Sequence, residues 1–165
     1  MADSRVLLRW FVALRVVTGL VFVYMGANHV LGGWASGEVF GQVIGKLSAS
    51  NPLHWYTAFM VPLVQSQPGV FGPLFTYGMV LTGLGLILGV LTIPALLAGL
   101  WLSLNNFLMG FGGGGVHHSV NVVMATVELA LLQTGVWRTL SVDAAFLEWW
   151  RQRSSPAPQP LGMPD

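Results

Sequence analysis

The sequence predicts an all-α integral membrane protein, a four-helix bundle with an extra short helix between its first and second spans. Three observations carry this reading. Hydrophobic residues make up 54% of the 165-residue chain and charged residues only 8%, against roughly 25% charged in soluble domains. Residues 47–127, 81 in a row, contain no Asp, Glu, Lys or Arg, enough to cross a bilayer more than once at about 20 residues per helical span. Four apolar runs are separated by breaks rich in glycine, proline or polar residues. The length suits one compact unit, and 7 basic and 6 acidic side chains with 4 histidines could not cover a soluble protein of this size.

The first span, residues 7–31, is interrupted only by Arg9 and Arg15. Its length of about 37 Å at 1.5 Å per residue crosses a bilayer with some tilt. It is too long for a cleaved signal peptide, whose apolar part runs to about 7–15 residues. Residues 32–50 form the most polar interior stretch, yet Val39, Phe40, Val43, Ile44 and Leu47 recur at helical spacing, the mark of a short interfacial helix. Asn51-Pro52 then reads as an N-cap with Pro at N1, opening a helix over 52–65. That helix is too short to span, so it is re-entrant or lies on the surface.

Residues 69–91 and 92–111 form the second and third spans, joined by a connection so short that they must be antiparallel. The glycines at 112–115 break the chain before the fourth span, 119–137, which carries one carboxylate, Glu128. Ser141-Val142-Asp143 reads as a turn and N-cap into an amphipathic helix over 143–152 bearing Trp149 and Trp150. The proline-rich tail, 154–165, reads as disordered. Thr18-Gly19-Leu20 and Thr82-Gly83-Leu84 match, too short a match to mark an internal repeat.

Orientation follows from basic residues. Arg5, Arg9, Arg138, Arg151 and Arg153 fall on the side shared by both termini, and Lys46 alone falls opposite. The positive-inside rule places both termini in the cytoplasm and the chain in the cytoplasmic membrane, multi-pass.

Composition excludes several chemistries. There is no cysteine, hence no disulfide, thiolate-bound iron–sulfur cluster or thiol redox step. A formal net charge of +1 gives no field for nucleic acid. No haem is expected either, because the histidines avoid the middle of the spans.

The polar residues that remain mark two candidate sites. Asn28, His29, Asn105, Asn106, His117 and His118 all fall at a similar outer depth. They read either as interhelical hydrogen-bonding groups or as the polar end of an apolar cleft that receives a quinone carbonyl. Adjacent His117 and His118 cannot easily face one ion, so no metal is assigned. Arg15 and Glu128, counted from the ends of their apolar runs, fall at matching depth and are expected to form an intramembrane ion pair, because either charge alone in the bilayer is costly. Its bland role is a pin between spans one and four; the functional one is proton exchange at Glu128. No residue is assigned as catalytic. The small residues of Gly85-x-x-x-Gly89 and the row Ala95, Gly99, Ser103 are expected at close helix contacts.

The order of these features resembles the DoxX/DoxD family of small membrane proteins with four spans, over residues 14–146. The resemblance is carried by Leu14-Arg15-Val16-Val17-Thr18-Gly19-Leu20-Val21-Phe22-Val23-Tyr24-Met25-Gly26, by Gly83-Leu84-Gly85-Leu86-Ile87-Leu88-Gly89-Val90-Leu91-Thr92 with Asn105-Asn106-Phe107, and by Gly135-Val136-Trp137-Arg138-Thr139-Leu140-Ser141-Val142-Asp143. Asn51-Pro52 is similar to the DoxD-type, thiosulfate:quinone oxidoreductase-like branch. Two positions depart from the pattern, His29 where the family often has lysine and Met79 where it has glutamate. The resemblance implies a membrane subunit of an oxidoreductase that interacts with quinone, surrounded by lipid, assembled with a partner subunit or as a homo-oligomer, and dependent on a partner subunit or bound cofactor for electrons. The competing reading is a non-catalytic accessory subunit that stabilises or anchors a larger membrane complex.

Overall fold

The computed structural model describes residues 4–111, 116–135 and 140–154, and among them the chain is all-helical, with no strand. The helices are α1 (Ser4–Leu31), α2 (Glu38–Ala49), α3 (His54–Ser66), α4 (Pro68–Leu88), α5 (Thr92–Met109), α6 (Val116–Thr134) and α7 (Val142–Ser154), with a 3₁₀ turn at Trp34–Ser36. Three helices are long and apolar enough to cross a membrane: Val6–Leu31 within α1, and the whole of α4 and α5. Ser119–Thr134 of α6 is a shorter apolar helix.

Most boundaries fall within a turn of the sequence expectation, where helix ends fray. Pro68 starts α4 at the position where its missing N–H costs nothing. The expected second span runs three residues too far, because residues 89–91 form the turn into α5. Gly89 closes α4 at φ 67°, and Leu91 precedes α5 at φ 49°, a conformation disfavoured for a residue with a side chain. The short helix also starts later than expected. Leu53, not Asn51, precedes its first residue, His54, and the chain runs helically through Pro62. Ser154 belongs to α7 rather than to a disordered tail. The glycine loop at 112–115, Trp137, Arg138 and the tail 155–165 lie outside the described residues.

In space α1 packs along α4, α4 and α6 both flank α5, and α6 reaches back to α1. Phe22, Met79, Leu86, Leu96, Met124 and Leu131 are buried where these helices meet. A close backbone approach joins the two matching triplets. A Cβ on Gly19 would stand 2.7 Å from the carbonyl oxygen of Gly83, and one on Gly83 would stand 2.5 Å from that of Gly19. Glycine is needed at both, since backbone cannot give way. Leu20, Tyr24 and Val123 point outward, as side chains bathed in lipid do. α2 and α3 fold back onto the ends of α4 and α5, and bury a second core around Phe40, Ile44, Tyr56, Val64 and Met109.

Candidate functional site

Folding α2 and α3 against α4 and α5 leaves a cavity of about 650 Å³ between them. Its walls are apolar, drawn from Phe40 and Ile44 of α2, Met60 and Val64 of α3, Phe75 of α4 and Leu102 of α5. A volume in this range suits an organic ligand. Phe59 and Leu81, which also line the cavity, are 68% and 67% exposed. Phe59 lies outside the spans and Leu81 within one, so the cavity opens sideways toward the region that lipid would occupy.

Hydrogen-bonding groups gather at one end. The hydroxyl of Tyr56 donates to Oδ1 of Asn105 at 2.7 Å, and Nδ2 of Asn105 donates to the carbonyl of Trp101 at 2.8 Å. Asn106 lines the cavity beside them. Thr82 of α4 and Ala98 of α5 also line it, at a depth about 10 Å from Asn105 by the seven residues between Ala98 and Asn105. Burial pushes the Tyr56 phenol up to about 12, because desolvation disfavours the phenolate. Tyr56 is therefore a neutral O–H donor across the whole neutral range.

Asn51 holds this end together. Its Nδ2 donates to the carbonyls of Leu108 and Met109, each at 2.8 Å, and its Oδ1 accepts the N–H of Leu53 at 2.8 Å. One buried amide thus satisfies the last carbonyls of α5 and shapes the turn into α3. The sequence reading gave Asn51 a local capping role alone; its long-range partners lie 57 and 58 positions away.

The sequence candidates separate in the fold. Asn105 and Asn106 line the cavity. His29 stands one layer behind it, its ring 3.9 Å from that of Trp34 and 5.6 Å from that of Phe75, both of which are lining residues. Asn28 does not reach the cavity; it is exposed and bonds back to the carbonyl of Tyr24 at 3.0 Å. The side chains of His117 and His118 lie outside the described residues. Among the described residues no three His, Asp or Glu side chains converge as metal ligands would. Tyr56 was missed by sequence reasoning, since nothing local marks a tyrosine whose partner is 49 positions away.

Arg15 and Glu128 do not form the expected ion pair. Both are buried, at 1% and 0% exposure, with separate partners. Nη2 of Arg15 donates to the carbonyl of Leu140 at 3.0 Å, and Asp143 supplies its electrostatic partner. Glu128 Oε1 accepts from Ser103 at 3.4 Å, and Oε2 has no hydrogen-bond partner. The reason is depth. Glu128 faces Gly99 and Phe22, whereas Arg15 reaches Gly89 at the end of α4. Gly99 lies seven residues past the start of α5, about 10 Å further into the bundle. Counting from run ends missed this, since α1 starts at Ser4 and Arg15, eleven residues along it, still reaches only the end of α4.

Around Arg15 the chain builds a latch. Asp143 accepts the N–H of Leu91 on Oδ1 at 2.8 Å and that of Thr92 on Oδ2 at 2.7 Å, and its own N–H donates to the carbonyl of Gly89 at 3.0 Å. A carboxylate from α7 therefore caps the N-terminus of α5, where its charge also favours the helix dipole.

No protein-family model, curated protein or solved structure matches the chain.

Proposed function

We propose that this chain is a DoxX/DoxD-like membrane subunit of an oxidoreductase, and that the cavity between α2–α3 and α4–α5 is its quinone site. The observation that carries the reading is the asymmetry of the cavity: a long, largely apolar interior with the Tyr56 phenol and the amides of Asn105 and Asn106 at one end. A quinone needs that division. Its ring carbonyls accept hydrogen bonds, while its isoprenoid tail is satisfied only by apolar walls or lipid. The amides of Asn105 and Asn106 supply the donors, Asn105 keeping one N–H beyond its bond to Trp101 and held in place by the Tyr56 hydroxyl, and the sideways opening lets the tail enter from the bilayer. Reduction adds two electrons and two protons to the quinone. A chain without cysteine takes the electrons from a partner subunit that carries its own redox cofactor.

The reading includes a four-span bundle of α1, α4, α5 and α6 in the cytoplasmic membrane, with both termini cytoplasmic. The packing of α6 against α5 and α1 and its apolar stretch support α6 as the fourth span.

Trp34 and Trp101 line the cavity, which provides the test. Titrating the purified protein with a short-tailed quinone should quench tryptophan fluorescence to saturation. Ala98→Phe, which fills the cavity, should weaken that quenching at least tenfold. Quenching that rises without saturation, and equally in the filled variant, would mean quinone only partitions into detergent. The accessory-subunit reading would then stand.

A further inference from the structure

We infer that α7 lies on the membrane surface with its aromatic face among anionic lipid headgroups, in a rotation fixed by the contacts of Asp143. This rests on α4 and α5 as spans and not on the quinone reading.

The position of α7 follows from the latch. Its first turn is bonded through Asp143 to Gly89, Leu91 and Thr92, the turn that joins the ends of two membrane-length helices. α7 therefore begins where the apolar layer ends. Its rotation follows from the same bonds. The Asp143 side chain must face that turn, and Phe146, Leu147 and Trp150, three, four and seven residues later, share its face of the helix. Glu148 and Gln152, five and nine residues later, are turned about 140° and 180° away at roughly 100° per residue.

The face directed at the bilayer is thus aromatic and aliphatic. Phe146 and Trp150 are 57% and 58% exposed, and no residue of α7 is buried, so nothing in the described chain covers this face. Leu88 at the end of α4, Leu91 just after it and Leu140 just before α7 are exposed as well. Tryptophan is the side chain most at home where the apolar layer ends. Arg153 sits at the edge of this face with its guanidinium 4.2 Å from the centre of the Trp149 ring, a cation–π contact that holds the charge beside the aromatic side chains. That charge selects anionic lipid.

The absence of native cysteine makes the test direct. Phe146→Cys and Glu148→Cys variants, each carrying one environment-sensitive fluorophore, are reconstituted into phosphatidylcholine vesicles with and without phosphatidylglycerol. The label at 146 should emit to the blue and be quenched by lipids with a spin label near the headgroup. The label at 148 should emit as in water and be quenched by iodide. Phosphatidylglycerol should strengthen the lipid quenching at 146, and Arg153→Gln should abolish that gain. Asp143→Ala should erase the contrast between the two sites. Iodide quenching equal at both sites would overturn the proposal. So would a label at 146 shielded from both quenchers, which would mean that a protein covers the face.

Discussion

The Tyr56 hydroxyl and the Asn105 side chain meet at 2.7 Å, tying the short helix α3 to the membrane-length helix α5 at the polar end of the cavity. Tyr56→Phe removes this bond and leaves the ring in place. Stability should fall by about 1 kcal/mol, read as a lower unfolding temperature in detergent, and quinone should bind more weakly by up to about tenfold. The double variant with Asn105→Leu should cost less than the sum of the two, because both substitutions break one contact.

The alkaline limb of stability should report Tyr56. Its phenol sits at about 12 in the folded chain, against about 10 unperturbed. The folded state therefore holds this proton more tightly than the unfolded one. The resulting stability is fully present below pH 10 and is lost as pH rises through 12. Tyr56→Phe should lack this fall, so the difference between wild type and variant should be flat from pH 6 to 9 and shrink above pH 10.

The same substitution at two glycines of α4 should have opposite outcomes. Gly83→Ala drives a methyl group into the Gly19 carbonyl, 2.5 Å away, and should destabilise by about 1–3 kcal/mol or more. Gly78 meets nothing within 4 Å and lines the cavity, so Gly78→Ala should be neutral or stabilise by about 0.5–1 kcal/mol through helix propensity. Thermal unfolding of the two purified variants side by side decides this.

Asn51→Leu keeps the volume and removes three hydrogen bonds. The carbonyls of Leu108 and Met109 and the N–H of Leu53 lose their partner in a buried site, at a cost of about 2–4 kcal/mol. Quinone affinity should fall with it, since α3 is no longer held against α5. Recovery of wild-type affinity at lower temperature would separate loosening from loss of a ligand contact.

What the sequence disclosed was whatever hydropathy and local chemistry encode. The membrane-length helices stand out because they are long and apolar, α4 and α5 without any charge and the span of α1 with only Arg9 and Arg15. α2 was legible because Phe40, Ile44 and Leu47 recur at helical spacing. Asn105 and Asn106 were legible because amides in an apolar run demand partners. The cavity was not, because it exists only once α2 and α3 fold back on α4 and α5, and no local pattern encodes that. The matching triplets around Gly19 and Gly83 carried a signal without an evident meaning until the two helices crossed there. Arg15 and Glu128 failed for a related reason: depth counted from apolar ends assumes that all helices begin at one level, whereas Arg15, eleven residues into α1, is level with the end of α4. Asp143 was read as a cap for its own helix, while its carboxylate caps α5, 51 and 52 positions away.

Photolabelling with an azido-substituted quinone tests the central claim most directly. The membrane-reconstituted protein is illuminated with the probe and the adducts are mapped by mass spectrometry. Adducts should fall on Tyr56, Met60, Asn106 and Met109, which line the cavity, and excess unlabelled quinone should suppress them. Adducts confined to outward-facing residues such as Leu20, Tyr24 and Val123, unaffected by competitor, would contradict a quinone site in this cavity.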